Sequence, residues 1–324
     1  MTPDEVLARL RANRHDDADW RSGRIFSLVY HPDDAELEEL LAAVSREYLA
    51  ENALNPFRFP SLARLEREAA DRVAGLVHGT PGAGGLTSGG TESIFLAVYV
   101  AREEARRRDV TAPAVVTGLT AHPAFAKACH LLGVRLVRVA VGADRRVDVD
   151  ALRAAVDGDT ALVVASAPCY PFGVIDPVPA VAAVAAEAGT LCHVDACLGG
   201  MLLPFWERLG EPVAPWDFRV DGVTTISADL HKLGYAPKGV SVIIHRTKEL
   251  RRYQTFMFDD WLGGFYGSPN MQGSRSALPM ACAWAVMHHL GLEGYLRLTE
   301  ATIGATRKMA SGIAGVAGLD VLAP

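Results

Sequence analysis

The amino-acid sequence predicts an α/β fold, with a mostly parallel β-sheet flanked by helices. From residue 79 onward, short segments rich in valine and isoleucine alternate with longer segments of helical spacing. The short segments are apolar on both faces, which is typical of strands buried in a parallel sheet. Charged residues and glycines follow several of them, and ligands of open α/β sheets bind where strands end. The sequence therefore also predicts a ligand site along one edge of the sheet.

The individual elements follow in chain order. The first 60 residues are expected to form an N-terminal helix and an extended arm. A helix is predicted over 61–77, where the apolar residues share one face, and further helices over 91–108 and 178–188. Six strands are predicted, over 115–118, 136–141, 162–166, 191–195, 223–227 and 240–245.

The C-terminal part of the chain is expected to begin a second domain. A long helix is predicted from Ala277 to Leu290, so a large α/β domain would span 61–290 and a smaller domain would begin within 291–324. The segment from Gly318 to Pro324 is expected to be the first strand of that smaller domain. On this interpretation the chain looks truncated.

The composition favours a soluble cytoplasmic enzyme. The chain has 324 residues, 50% hydrophobic and 22% charged, enough for one large domain and part of another. Its net charge of −6 argues against a nucleic-acid-binding surface. We expect no membrane span and no signal peptide, because no apolar run has the required length or position. Five cysteines, several within apolar segments, indicate a reducing compartment.

A histidine and a lysine follow the strand predicted at 223–227. His231 and Lys232 lie in the segment Ser-Ala-Asp-Leu-His-Lys, where buried basic groups are unusual. A lysine amine in a poorly hydrated site has a lowered pKa and can form a Schiff base with a carbonyl. The commonest biological partner of such a lysine is pyridoxal 5'-phosphate (PLP). We expect Lys232 to be a lysine of this kind; a surface lysine held by an ion pair is the ordinary alternative.

A glycine-rich turn precedes the helix predicted at 91–108. Gly89, Gly90 and Thr91 would stand at its N-terminus, where unpaired N–H groups and the helix dipole favour an anion. Glycine lets the backbone approach a phosphate closely, and Thr91 could cap the helix or donate its hydroxyl to a phosphate oxygen. By itself the turn could also be an ordinary helix start.

Two further strand ends carry candidate site residues. Asp195, at the end of the strand predicted at 191–195, could hold a pyridinium nitrogen protonated, or could cap the following turn. His122 opens a helix after the strand predicted at 115–118 and could stack on a planar ring, or could be a structural histidine. We expect no metal, because the spacing around Asp195 fits no common tetrahedral zinc site: Cys192, His193 and Cys197.

In chain order these motifs resemble one enzyme family. They are Gly-Gly-Thr, Ala-His, Val-Asp-Ala-Cys-Leu-Gly-Gly and Ser-Ala-Asp-x-His-Lys-x-Gly-Tyr-Ala-Pro-Lys-Gly. The sequence resembles the sphingosine-1-phosphate lyase branch of the PLP-dependent group II decarboxylases, from about Gly23 to its end. The resemblance implies fold type I of the PLP-dependent enzymes, with an N-terminal arm and an incomplete C-terminal small domain.

The resemblance implies a role for each matching residue. Lys232 would hold PLP as a Schiff base, and Asp195 would pair with the pyridine nitrogen. His122 would stack on the cofactor ring, and Lys238 would assist at the active site. The substrate would be a small amine.

The remaining matches concern the phosphate and the partner chain. Gly90, Thr91 and His231 would contact the cofactor phosphate, with Ser274 reaching in from the other chain of a homodimer. Tyr30 would face the neighbouring subunit's site, so the two active sites would be shared.

The sequence departs from the lyase pattern near the substrate entrance. Phe26-Ser27-Leu28 replaces a Ser-Gly pair, while Asn55 and Phe57 stand where the family has a histidine and an aspartate. The expected reaction is retro-aldol cleavage of a phosphorylated amino alcohol to an aldehyde and an amine. The alternatives are decarboxylation of an L-amino acid, aminotransfer, and an inactive PLP-binding subunit.

Overall fold

Residues 1–322 are described by a computed structural model, and a seven-stranded β-sheet lies at their centre. The strands are β1 (Gly84–Thr87), β2 (Ala114–Gly118), β3 (Arg135–Val139), β4 (Thr160–Ser166), β5 (Leu191–Asp195), β6 (Thr225–Ala228) and β7 (Ser241–His245). They lie side by side in the order β1-β7-β6-β5-β4-β2-β3. Four of the six pairings in this sheet are parallel, which confirms the predicted mostly parallel sheet.

Helices and a small hairpin complete the described chain. The hairpin consists of β8 (Phe256–Phe258) and β9 (Tyr266–Ser268), which pair antiparallel. The helices are α1 (Pro3–Ala12), α2 (Ala35–Glu47), α3 (Pro60–Leu76), α4 (Gly90–Arg107), α5 (Ala124–Leu132), α6 (Val149–Ala155), α7 (Val178–Glu187), α8 (Leu203–Arg208), α9 (Lys248–Arg251) and α10 (Ala277–Ala314).

Helices cover both faces of the sheet. On β4, Val163 belongs to the larger core cluster, which includes residues of α3 and α7. Its neighbours Leu162 and Val164 belong to a second cluster, formed with residues of α4 and α5. Because successive strand residues point to opposite faces, the two clusters lie on opposite sides of the sheet. The predicted strands are apolar on both faces because helices pack against both sides of the sheet.

The sheet differs from the predicted one at its β1 edge. β1 was not predicted, since Gly-Gly-Leu-Thr has no run of β-branched residues, yet all four of its residues are buried against β7. β7 runs antiparallel to both β6 and β1. The connection 229–240 between β6 and β7 contains no helix, and a parallel pair needs a crossover connection.

The N-terminal segment contains more helix than expected. α2 lies within the segment predicted as an arm, begins after Asp34, and packs on α10. The Asp34 carboxylate accepts a hydrogen bond from the Leu37 N–H at 3.0 Å, an N-cap that stabilises the first turn.

The C-terminal segment also departs from the prediction. α10 continues to Ala314, past the expected end at Leu290, and it bends where Gly291 has a φ of 55°. Residues 319–322 form no strand, because no described strand pairs with them, while Ala323 and Pro324 lie outside the described residues. Within the described chain, no helix has the length and apolar character needed to cross a bilayer.

Candidate active site

The predicted site residues meet along one edge of the sheet. β2, β4, β5 and β6 are parallel, so the residues that follow them lie at the same edge. β1 is antiparallel to β7, which is antiparallel to β6, so β1 also ends at this edge. The glycine turn, His122, Asp195 and the segment from Asp229 to Lys238 therefore occupy one side of the molecule.

Lys232 is held by a carboxylate that the sequence analysis missed. Its Nζ lies 2.9 Å from Asp229 Oδ2, and the Asp229 side chain is only 2% exposed. Burial alone would lower the pKa of Lys232, but Asp229, aided by Cys197 and Asp195, raises it above its ordinary value. The expected lowering of this pKa is therefore wrong: desolvation is the largest single effect, but the attraction of Asp229, Cys197 and Asp195 together exceeds it. Its position three residues before the lysine was a signal that the sequence offered.

Lys238 is the lysine whose pKa is lowered. Burial and the nearby positive charge of Lys232 lower the pKa of Lys238, and Asp229 opposes them only partly. The Lys238 Nζ donates to the backbone carbonyl of His231 at 2.8 Å, so a carbonyl rather than a carboxylate holds it. Lys238 thus gives up its proton more readily than an ordinary lysine.

Tyr30 lies beside the site of its own chain. Its ring centroid is 5.5 Å from the Lys238 Nζ, and burial raises the pKa of its phenol. In this position the lysine attracts the aromatic face. A contact of Tyr30 with a neighbouring subunit's site stays a prediction. Near it, the Tyr170 hydroxyl lies 3.1 Å from the Ser27 hydroxyl. Tyr170 was not predicted, although it follows β4 at the active edge.

The glycine turn is packed tightly beneath the lysine. Gly89 is the N-cap of α4 without any side-chain cap, so the proposed capping role of Thr91 is wrong; Thr91 stands exposed in the first turn. A Cβ at Gly90 would lie 2.7 Å from both an Asp229 oxygen and the Cys197 sulfur. Gly90 is therefore required by close packing.

The glycine turn is tied to the loop that carries Ser274. Glu92, another buried carboxylate that was not predicted, accepts from the Ser88 N–H at 2.6 Å and the Met271 N–H at 2.8 Å. Ser274 lines a cavity of about 300 Å³ together with Ser88 of the same chain. The Ser274 hydroxyl accepts from Asn52 at 3.0 Å. A reach of Ser274 into a partner's site stays a prediction.

Asp195 stands buried at the end of β5. Its Oδ1 accepts from the Cys197 N–H at 3.1 Å and from the Ser227 hydroxyl at 3.3 Å. Beside it the His193 ring is within 2.8 Å of the Thr225 hydroxyl, and burial lowers the pKa of His193 to about 4. His193 is therefore a neutral structural histidine. In the described chain, no three acidic, histidine or cysteine side chains are grouped to hold a metal ion.

The two remaining histidines lie at different depths. His231 is partly buried, with its Nε2 3.7 Å from Asp229, and its Cε1 would be 3.6 Å from a Cβ on Gly89. Burial lowers the pKa of His231. His122 is exposed, accepts from the Ala124 N–H at 3.1 Å, and lines a cavity of about 420 Å³.

These residues fit a phosphorylated pyridoxal group. The start of α4 offers unpaired N–H groups at a glycine turn where Gly90 admits no side chain, which suits a phosphate. His231 and the Lys232 amine lie next to that turn, and a buried carboxylate, Asp195, stands on the neighbouring strand β5. An anion site, an amine and a carboxylate at one edge are the groups that PLP requires.

Comparisons with known proteins agree with this geometry. The pyridoxal-dependent decarboxylase conserved domain matches residues 18–320. Sphingosine-1-phosphate lyase 1 of Rattus norvegicus is 42% identical over 98% of this chain, which spans 56% of that protein's length. The L-aspartate/L-glutamate decarboxylase of Pyrococcus horikoshii is 32% identical over 97% of this chain and 80% of that protein. The solved Burkholderia pseudomallei sphingosine-1-phosphate lyase superposes with a TM-score of 0.95, at 40% identity, covering 100% of this chain and 76% of that chain.

Proposed function

We propose that this chain is a PLP-dependent carbon–carbon lyase acting on a phosphorylated amino alcohol. The chain belongs to the pyridoxal-dependent decarboxylase family. The products would be an aldehyde and an amine, formed by retro-aldol cleavage. The observation that carries the proposal is the identity of about 40% with sphingosine-1-phosphate lyases over nearly the whole chain. The chain spans just over half of the rat enzyme's length, so activity and substrate are both parts of the proposal.

We assign a separate role in such a reaction to each of three residues of this chain. When bound, PLP accepts the electron pair released as a bond to the amine-bearing carbon breaks. Lys232 supplies the amine that holds the cofactor, and Asp195 places a buried carboxylate at the strand end for the ring nitrogen. Lys238, which loses its proton more readily than an ordinary lysine, is the group we assign to accept the proton of the substrate hydroxyl.

A second candidate reaction is decarboxylation of an L-amino acid. The similarity to the Pyrococcus horikoshii decarboxylase favours it, and so do the departures from the lyase pattern near the entrance. The Oδ1 of Asn55 is engaged in a turn, where it accepts from the N–H groups of Phe57 and Arg58. Phe57 is 91% exposed. The family's histidine and aspartate are thus replaced by a structural turn and an apolar surface group.

Product analysis separates the two reactions. We expect the PLP-loaded protein to release an aldehyde from phosphorylated 2-amino-1,3-diols and 2-amino-3-hydroxy compounds, detected by hydrazone trapping. L-Aspartate, L-glutamate and aromatic L-amino acids are tested in parallel for CO₂ release. A Lys232→Ala variant supplies the background. Release of CO₂ without any aldehyde would reject the lyase and favour the decarboxylase, and silence across both panels would favour an inactive PLP-binding subunit.

The proposal includes a homodimer in a reducing, cytoplasmic compartment. Trp261, Leu262 and Phe265 form an exposed apolar tip on the β8–β9 hairpin, which a soluble protein rarely leaves uncovered. This tip precedes the loop that carries Ser274, so we propose that a second copy of the chain covers it. All five cysteines are free and buried, in keeping with reducing conditions.

Oligomeric state tests the dimer. Leu262→Glu places a charge on the apolar tip and is expected to convert the dimer to monomer in sedimentation, since obligate interfaces are largely apolar. Leu131→Glu, at an exposed leucine on α5, is the matched control and should leave the dimer intact.

Mixing of inactive chains tests whether the sites are shared. Lys232→Ala chains refolded with Ser274→Asp chains should regain part of the activity, because one site of the mixed dimer combines two intact halves. Verified mixed dimers without activity would show that each chain builds its own site.

A further inference from the structure

We propose that Asp229 is a positioning residue that holds the Lys232 amine against the glycine turn as an ammonium ion, and thereby governs when that amine can capture an aldehyde. The inference rests on the proposed use of Lys232. It gives a role to a carboxylate that belongs to the lysine motif but has no part in the proposed reaction. Asp229 acts through Lys232 in this proposal.

Hydrogen-bonding contacts at both oxygens hold the Asp229 carboxylate in one orientation. One carboxylate oxygen lies 2.9 Å from the Lys232 Nζ, and the other accepts from the Ser241 hydroxyl at 2.6 Å. Ser241 begins β7, so the sheet itself orients the carboxylate. Only 2% of the Asp229 side chain is exposed, so solvent screens its electrostatic attraction to the lysine only weakly.

The glycine turn closes the other side of Asp229. A Cβ at Gly90 would lie 2.7 and 2.9 Å from the two Asp229 oxygens, so the carboxylate fills the space that any larger residue would need. The Lys232 amine is thus held next to the start of α4, rather than in solvent. An amine stored there is close to the place where an incoming phosphate would bind.

Asp229 distinguishes between two lysines. Its carboxylate contacts Lys232 but not Lys238, whose Nζ is held by the His231 carbonyl. The pKa of Lys232 is raised, while the pKa of Lys238 is lowered. The other ionisable groups around Asp229 and Lys232 come from the same segment, from the end of β5 and from the arm, namely His231, Asp195, Cys197 and Tyr30.

The chemical consequence concerns the free amine. Only a neutral amine attacks an aldehyde, so Asp229 keeps Lys232 correctly placed but unreactive until the proton leaves. Lys238 stays free to accept or return a proton in the same site. Removing the Asp229 charge should therefore make Lys232 more reactive at a given pH, with a smaller gain at Lys238.

Reductive methylation of cofactor-free full-length chain tests this directly. Formaldehyde and cyanoborohydride modify neutral amines, and peptide mass spectrometry gives the rate at each lysine between pH 6 and 10. In Asp229→Asn we expect Lys232 to react roughly tenfold faster at neutral pH, because a contacting opposite charge commonly changes the free-amine fraction by such factors. Lys127, exposed on α5, reports any change in overall exposure. Asp221→Asn, at an exposed aspartate, is the matched control variant.

Several outcomes decide the inference. An unchanged pH profile at Lys232 in folded Asp229→Asn would overturn it, and so would an equal rise at Lys232, Lys238 and Lys127. If Asp229→Asn does not fold, the pH profiles of the wild-type chain decide. Lys232 is expected to become reactive at a higher pH than Lys238, and reaction of Lys232 at the same or a lower pH would overturn the inference. The probe needs no bound cofactor, so the result stands even if reduced PLP is found on another lysine, which would reject the proposed function alone.

Discussion

Replacing Lys232 with alanine is expected to abolish covalent capture of PLP and to lower turnover by roughly a thousandfold or more, since no other group can supply this attachment. The Lys232 amine contacts Asp229, which also packs against Gly90, whereas the Lys238 amine donates to the His231 carbonyl. The wild-type protein should absorb in the near-visible range, and borohydride should bleach that band. Peptide mapping after reduction should then find the pyridoxyl group on Lys232.

Two controls make this result specific. Lys127→Ala, at an exposed lysine on α5, should keep both the absorbance and the activity. Lys238→Ala should keep the absorbance while losing turnover, because Lys238 is assigned to proton transfer. A pyridoxyl group on Lys238 in the wild-type protein would contradict the assignment of Lys232.

Replacing Asp195 with asparagine is expected to lower turnover by roughly a hundredfold to a thousandfold, the usual scale for one lost electrostatic partner. Asparagine preserves the shape and can still accept from the Cys197 N–H and the Ser227 hydroxyl, so the fold should survive. The cofactor should still bind, because the glycine turn and Lys232 are unchanged in this variant. What would be lost is the negative charge that we propose keeps the ring nitrogen protonated.

The measurement compares rate and spectrum. PLP affinity, the near-visible band and turnover are recorded for Asp195→Asn and for the exposed-site control Asp221→Asn. A near-normal rate in Asp195→Asn would mean that another group partners the ring nitrogen. Loss of cofactor binding together with activity would instead indicate a structural role for Asp195.

Local patterns determined much of the fold. The helices near 61–77, 91–108 and 178–188 and the strands β2, β4 and β5 were predictable because each buries a continuous apolar face. β1 was not, since its four residues owe their extended form to pairing with β7. In the described part of the segment expected as a strand after Gly318, residues 319–322 pair with no described strand, and a strand needs such a partner.

The sequence by itself determined the kinds of group at the site and their order: a glycine turn, a histidine, an aspartate, a second histidine and two lysines. Only the tertiary structure decided their charge states and neighbours. The pKa values of Lys232 and Lys238 move in opposite directions because one amine contacts Asp229 and the other meets a carbonyl. All of these groups lie in the one segment between β6 and β7, and the sequence already placed Asp229 three residues before Lys232. What the spacing did not encode is the path of this loop, which buries Asp229 and turns the Lys238 amine toward the His231 carbonyl.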